Sequence, residues 1–497
     1  MIRFHNTLGG RVEEFVPLEP GKVRLYTCGP TVYDFPHIGN WRSYVFEDLL
    51  KRFLLFSGFE VAHVMNITDV DDKTIRGANA RGMGLGDYTR PFVEAFHAEK
   101  RTLNILPADH YPRATDPENI RAMAALIGRL LDKGFAYRKD GSIYFAIDRF
   151  PAYGRLSRIS LEGRRPGSRG DADEYEKESV HDFALWKAPR EGEPVWETGI
   201  GPGRPGWHVE CSAMSARFFG PTFDSHCGGV DNIFPHHENE IAQSEAANGV
   251  KFVNYWLHCH HLVVEGEKMA KSKGNFYRLA DVLARGYEPR EVRFLLLSTH
   301  YRKMLNFTFE ALKQARSGLR RIGNFLVDLA GVKRDGEAGD EARALVERAK
   351  RGFRDALDDD LNISGALAAL FSLIKDANVL REREALNKGD VGVIEDFLRE
   401  VDEKVLAVGL GIRPTGHVPE VDDATQGHAA ESPEARSAAG GADADVARLV
   451  EERQAARAAK DFARADAIRL ELLERGIVLE DTKDGVRWKK AGPSAGP

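Results

Sequence analysis

Cysteine is scarce in this chain: only Cys28, Cys211, Cys227 and Cys259 occur in 497 residues. That is too few for a disulfide framework in a protein of this size, so a reducing compartment is expected. No apolar run approaches the roughly 18 residues needed to span a membrane, which predicts a chain without membrane spans. The first twenty residues hold Arg3, Arg11, Glu13 and Glu14 but no apolar core, so no secretory leader is expected and the cytoplasm is the default. Aromatic residues are missing between Phe397 and Phe462, and within that gap residues 415–447 are rich in Ala, Gly, Asp, Glu and Pro. Such a stretch cannot bury enough apolar surface to fold, which predicts a linker. Its seven acids against one base equal the whole-chain net charge of −6. The remainder is therefore balanced, and the acidic total does not argue against a nucleic-acid partner.

With 42% hydrophobic and 29% charged residues the chain has a globular composition, and its length predicts three or four domains. The stretch Lys22 to Phe56 organises the rest. Val23 to Thr27 reads as a buried strand, and Pro36-His37-Ile38-Gly39-Asn40 opens an amphipathic helical pattern. A helix start after a strand favours phosphate through its unpaired N–H groups and positive dipole end. Gly39 permits close approach to the backbone, and His37 is placed to touch phosphate or the reacting centre; plain turn chemistry is the alternative. Phe59 to Ile67 reads as a second strand, with Thr68 to Lys73 at its carboxyl end. In open α/β sheets that end faces the ligand crevice, although Thr68 or Asp69 could equally cap a helix. Residues 88–104 look helical, and from Ala136 to Trp207 short β runs and Gly/Pro/Arg-rich loops suggest an insertion between two halves of one sheet domain.

Seven of sixteen histidines (His208, His226, His236, His237, His258, His260 and His261) share the 208–261 window with three of the four cysteines. Pro235 can initiate a helix on which His236 and Glu240, four residues apart, share a face, and Cys211 is read as opening another helix. Two thiolates, one imidazole and one carboxylate from Cys28, Cys211, His236 and Glu240 make a plausible tetrahedral zinc set. Buried free cysteines and a capping histidine are the alternative.

These segments together resemble the cysteinyl-tRNA synthetases, a family of class I aminoacyl-tRNA synthetases. YTCGPTVYDFPHIGN is similar to the family's HIGH-type signature, and NITDVDDKTI, GRPGWHVECSAM, VDNIFPHHENEIAQSEA and EKMAKSKGN are similar to further family blocks in the same order. The resemblance covers nearly the whole chain and implies Zn²⁺ at Cys28, Cys211, His236 and Glu240, with Mg²⁺ accompanying ATP. It turns KMAKS, Lys268 to Ser272, into the KMSKS loop with Ala270 in place of the usual serine. Cys227 stands in a stretch that is commonly glycine in the family. The implied roles are catalysis by His37, Asn40, Lys268 and Lys271, ATP binding by His37, Gly39, Asn40 and Lys271, and a substrate pocket of Thr68, Trp207, His226 and Asp231. The implied reaction is adenylation of L-cysteine by ATP and transfer to tRNA(Cys) by a cytoplasmic monomer that does not engage membranes. A relative that passes cysteine to a small amine, as in the mycothiol pathway, would need no anticodon module. A non-catalytic RNA-binding descendant should have lost His37, the lysines or the zinc ligands, all of which are present.

The fold this implies is α/β: a Rossmann-like parallel-sheet catalytic domain with an inserted connective domain, a helical bundle and a small C-terminal α+β anticodon-binding module. Its expected divisions are 1–110 and 203–265 for the catalytic halves, 111–202 for the insertion and 266–325 for the KMSKS loop and stem-contact region. The bundle follows over 326–412, the acidic linker over 413–445 and the C-terminal module over 446–490. Residues 290–321 carry eight Lys/Arg against Glu291 and Glu310, which reads as a phosphate-contact footprint. In the last module, residues 446–475 show a helical pattern and IVLEDTKDGVRWKK a hairpin, where Trp488 beside Lys489 and Lys490 suits stacking on an unpaired base or a small core.

Overall fold

The computed structural model describes residues 1–159 and 182–411, residues 449, 452 and 468, and the strand residues 477–482 and 485–490. A hairpin of β1 (Arg3–Asn6) and β2 (Arg11–Glu14) leads into β3 (Lys22–Thr27), α1 (Ile38–Phe56) and β4 (Glu60–Met65). Helices α2 (Asp72–Ala80), α3 (Leu85–Thr102) and α4 (Pro117–Asp132) follow. Next come the short strands β5 (Ala136–Lys139), β6 (Ser142–Phe145), β7 (Phe183–Lys187) and β8 (Arg204–Pro205), which form an antiparallel sheet of their own. Helix α5 (Trp207–Phe219), β9 (Phe223–Gly229), α6 (Glu238–Asn248) and β10 (Val253–Cys259) complete the central sheet.

That sheet has the order β10-β9-β3-β4 with every pair parallel. Each half is a strand-helix-strand unit, and the halves meet where β3 lies beside β9. The strand order reverses there, which opens a crevice at the carboxyl ends of the two central strands. Cys28, the residue after β3, donates its N–H to the Cys227 carbonyl of β9 across this seam at 3.2 Å. The insertion packs on the second half: Ile120, Met123 and Ile127 of α4 share a core with Val209, Ala213, Ala242 and Ala246 of α5 and α6.

Helix α1 differs from the one-sided helix that its apolar spacing predicts. Ile38, Trp41, Leu49, Leu50 and Phe53 are buried, but so are Arg42, Glu47, Asp48, Lys51 and Arg52. Asp48 pairs with Arg52 at 2.9 Å and with Arg293 at 2.5 Å, and Arg293 also donates to the carbonyls of Leu406 and Leu103. A buried charge is tolerated only when paired and hydrogen-bonded, and this node meets that condition.

Beyond β10 the chain forms β11 (Leu262–Val264) and β12 (Glu267–Lys268), then α7 (Leu279–Leu283), α8 (Pro289–Ser298) and β13 (Leu305–Phe307). The chain changes sheets here: β10 belongs to the central sheet and β11 to a three-stranded sheet with β12 and β13. Helices α9 (Phe309–Ala330), α10 (Asp340–Asp358), α11 (Ile363–Glu382) and α12 (Lys388–Val401) make the bundle. Helix α11 has the length and composition to cross a membrane, which the sequence reading missed; its Ala366, Leu370, Ile374 and Ala377 are buried in the core.

The basic run 290–321 also needs correction as a phosphate footprint. Arg293 is inside the protein, Arg290 pairs with Glu288, Arg302 with Asp360 and Arg316 with Glu291. Counting charges along the chain could not reveal partners such as Asp48 and Asp360, which come from distant segments. The chain divides into two compact units, Met1–Thr415 and Gly416–Pro497. In the second, β14 (Ile477–Thr482) pairs antiparallel with β15 (Gly485–Lys490), the hairpin expected from sequence. The acidic linker and the side chain of Trp488 lie outside the described residues.

Candidate active site and metal centre

The crevice holds two groups of residues. The first is buried. Cys28 follows β3, Cys211 lies one turn inside α5, which begins at Trp207 instead of at the cysteine, and Glu240 lies in the first turn of α6. His236 sits in the wide turn Ile233–His237 that leads into α6. The i,i+4 spacing still brings His236 Nε2 to 3.1 Å from Glu240 Oε1. Ligand atoms of Cys28, Cys211, His236 and Glu240 all lie within 4.8 Å of one another. A second set, Cys28, His226, His237 and Glu240, meets the same distance and shares two members with the first.

These atoms suit a cation. Glu240 Oε1 is buried and has no hydrogen-bond donor. Burial pulls His236 down to about 3, so protonation of its ring does not supply one at neutral pH. His236 Nε2 and Glu240 Oε1 thus face each other with no hydrogen bond between them, an arrangement that a divalent metal relieves. The hydrogen bond to Cys211 and burial push the Cys28 thiol well up, which is the behaviour of crowded soft donors without a cation.

Around these ligands lies a shell of imidazoles, of which the sequence reading gave a role to His226 and missed the placement of His208, His237 and His258. Cys28 Sγ meets His237 Nε2 at 3.2 Å, His237 Nδ1 meets His258 Nε2 at 2.8 Å, and His258 Nδ1 meets Thr7 Oγ1 at 2.7 Å. His226 Nε2 meets Glu240 Oε2 at 3.0 Å, and its ring stacks on Trp256. His208 Nδ1 meets His236 Nδ1 at 3.0 Å. The second histidine of Pro235-His236-His237 and the density of histidine over 208–261 are the signals that could have found them. Cys227 is outside both ligand sets: it alternates with His226 on β9 and packs in the core cluster that contains α1.

Of the predicted pocket residues, Trp207 stacks on His236 with centroids 4.2 Å apart, and His226 is buried against Glu240. Thr68 donates its hydroxyl to Glu210 Oε2 at 2.7 Å, and burial pushes the Glu210 carboxyl well up. Helix α2 is capped by Asp71, so neither Thr68 nor Asp69 is a cap. Asp231 is exposed on the loop after β9, where its charge acts on His37.

The second group surrounds the start of α1. His37 is the N-cap: its Nδ1 accepts from the Asn40 N–H at 3.3 Å, and Asn40 Oδ1 accepts from the His37 N–H at 3.0 Å. With Nδ1 accepting, the neutral ring carries its proton on Nε2. Burial lowers His37 to about 4, and the nearby Asp34 and Asp231 only partly oppose this. A Cβ at Gly39 would lie 3.0 Å from the His37 ring and 3.2 Å from Met269 Cε, so glycine lets the lysine loop close on the helix start. That loop does come to this place. The Ile38 N–H donates to the Tyr277 carbonyl at 3.0 Å, and Lys271 Nζ lies 2.5 Å from Asp34 and 5.1 Å from the Phe276 ring centre. Asp34 also holds Arg278 at 2.9 Å, and neither residue was picked out from sequence. Lys268 is exposed on β12, and Lys273 pairs with Glu267 at 2.8 Å.

Comparison with known proteins gives a consistent set of likenesses. Residues 14–317 match the family described as the tRNA synthetases class I (C) catalytic domain, 352–410 the DALR domain and 439–488 the cysteinyl-tRNA ligase anticodon binding domain. The cysteine-tRNA ligase of Koribacter versatilis is 48% identical over 98% of this chain and 99% of its own length. That of Chlamydia muridarum is 47% identical over the same shares. Among solved structures, Mycobacterium tuberculosis methionyl-tRNA synthetase bound by methionyl-adenylate superposes with a TM-score of 0.59 at 16% identity. It covers 78% of this chain and 93% of its own, a likeness of fold alone.

Proposed function

Since the chain belongs to the cysteinyl-tRNA ligase family of class I synthetases, we propose that it joins L-cysteine to tRNA(Cys) at the expense of ATP through a cysteinyl-adenylate. The observation that carries the mechanism is the convergence of the lysine loop and the His37 turn above the seam that buries the Cys28 cluster. The cysteine carboxylate attacks the α-phosphorus of ATP in line and pyrophosphate leaves. Orientation and charge stabilisation suffice for such a transfer, and no protein nucleophile is required. His37, neutral at pH 7, donates from Nε2 to a phosphate oxygen, while Asn40 fixes its ring through the capping box. Gly39 gives the helix start its closeness to ATP, and Lys271 and Lys268 meet the charge that develops on pyrophosphate. Mg²⁺ accompanies ATP.

Cys28, Cys211, His236 and Glu240 hold Zn²⁺ in this reading, in preference to the set with His226 and His237, because two thiolates suit the softer metal site. When bound, zinc supplies a thiophilic Lewis acid that favours a substrate thiolate over a hydroxyl. Thr68, Trp207 and His226 line the amino-acid pocket, and Asp231 meets the ribose or the amino group. The catalytic halves, insertion, stem-contact region and bundle keep the divisions read from sequence, and the enzyme acts as a cytoplasmic monomer.

Pyrophosphate exchange across the amino acids, followed by charging of bulk tRNA, tests the function. Cysteine alone should support exchange, and tRNA should accept it. Deleting residues 446–497 should leave exchange nearly intact while raising the KM for tRNA. Transfer of cysteine to a small amine instead of tRNA, or equal loss of both half-reactions in the truncated enzyme, would overturn this reading.

A further inference from the structure

Thr68 ends the segment that follows β4, beside the loop that carries Cys28: its N–H donates to the Pro30 carbonyl at 3.0 Å, and its own carbonyl accepts from Val32 at 3.1 Å. Its hydroxyl belongs to a relay whose direction is set at one end. The Gly29 N–H can only donate, and it donates to Asn66 Oδ1 at 3.0 Å. The Asn66 amide is thereby oriented, and its NH₂ group donates to Thr68 Oγ1 at 3.2 Å. The single hydroxyl proton of Thr68 then goes to Glu210 Oε2 at 2.7 Å. A threonine hydroxyl has one proton and two lone pairs, so this one has a lone pair left and nothing to donate. Glu210 is fully buried, and its Oε2 is the acceptor of this proton.

We propose that Glu210 is a positioning residue for amino-acid recognition. By taking the Thr68 proton it makes Thr68 an obligatory acceptor, which receives a hydrogen bond from the substrate's α-ammonium and disfavours a carboxylate in the same place. The inference rests on the reading that this site binds cysteine, and it adds the polarity by which the amino end is told from the carboxyl end.

Glu210 adjoins Cys211, so the test must separate recognition from damage to the neighbouring thiol. 3-Mercaptopropionate has the thiol and carboxylate of cysteine without the ammonium. In full-length enzyme, Glu210→Met and Thr68→Val should each raise the KM for cysteine in pyrophosphate exchange about tenfold or more. The inhibition constant of 3-mercaptopropionate should stay within about twofold of wild type. Glu210→Gln, whose amide oxygen can still accept, should remain within about threefold for both, and the double variant should be no worse than the worse single. Parallel weakening of cysteine and 3-mercaptopropionate, multiplying effects in the double variant, or a Gln variant as impaired as Met would overturn the proposal. If Glu210→Met does not fold, Glu210→Ala takes its place in the same comparison, and an unchanged preference for cysteine over its deamino analogue in that variant overturns the proposal. A wild-type enzyme without cysteine-dependent exchange would instead remove the functional reading.

Discussion

The side chains of His226 and Glu240 are 0% exposed, whereas that of Lys271, beside the turn that starts α1, is 64% exposed. The buried group is held from many sides by rings and hydrogen bonds, among them Trp207 on His236, Trp256 on His226 and His258 on His237. The lysine group is held by a few ion pairs of the exposed kind, which contribute about 0–1 kcal/mol each. In the proposed mechanism the contrast follows from what each must do. Distinguishing sulfur from oxygen requires donors that are fixed and dry, because water would compete for the metal and loosen the geometry. Meeting charge that develops on pyrophosphate requires cations that leave their resting partners cheaply.

The largest effect should come from breaking the buried side. Shape alone separates near-isosteres by only about 10 to 200-fold, so without its ligands the site has no other strong means of choosing cysteine. Cys211→Ala or His236→Ala should lower cysteine activation by about 10³-fold or more without creating serine activation. Exchange assays with both amino acids, together with metal analysis of the purified protein, check this. Active enzyme without bound zinc, or a Cys211→Ala variant that still prefers cysteine strongly, would sink the assignment.

Breaking the exposed side should hurt less and differently. If Lys268 and Lys271 act on charge present only in the transition state, replacing either with Ala should lower kcat for adenylation about 10²-fold and leave the KM for cysteine nearly unchanged. An unchanged kcat with a raised KM for ATP would assign them to ground-state binding instead.

The two regions also differ in how far they can be read from sequence. The strand, turn and helix at 22–56 are legible because His37 and Asn40 cap a helix locally and the apolar spacing is strong. Sulfur, imidazole and carboxylate are chemically distinctive, so Cys28, Cys211, His236 and Glu240 stand out even though three separate segments supply them. What stays illegible is partnership. Arg293 looks like a surface cation until Asp48, 245 positions away, is found beside it in the core. His237 and His258 look like extra histidines until the turn before α6 sets His237 against His258 of β10. Long-range pairing is set by packing, to which a count along the chain is blind.

Acidification offers a milder comparison of the two regions. Burial holds His258 at about 3, far below its ordinary value near 6.5. The folded state keeps this ring neutral while the unfolded chain takes up a proton below pH 6.5, so stability rises with pH and is lost as pH falls from 6.5 toward 3. At pH 5 the ring alone should destabilise the fold by about 2 kcal/mol. His258→Gln should therefore flatten the acid limb of stability in urea titrations between pH 5 and 7, while Lys271→Ala should leave it unaltered. Parallel curves for wild type and His258→Gln would show that the ring is not held neutral by its surroundings.

The smallest effect should come from Asp34. In the resting structure it holds Lys271 at 2.5 Å and Arg278 at 2.9 Å, so Lys271 must give up this carboxylate to meet the charge that develops on pyrophosphate. Giving up an exposed pair costs at most about 1 kcal/mol, equivalent to a factor of about five in rate. Asp34→Asn keeps the shape and removes the competing charge. It should raise kcat for adenylation by up to about fivefold, and the gain should shrink as salt is raised because exposed pairs are screened. In a Lys271→Ala background the same substitution should change little, since the cation it restrains is gone. A rise of tenfold or more in the KM for ATP would mean that Asp34 itself holds the nucleotide or its Mg²⁺, which would place a carboxylate among the groups that bind ATP and blur the division between a fixed, buried selector and an exposed, releasable set of cations.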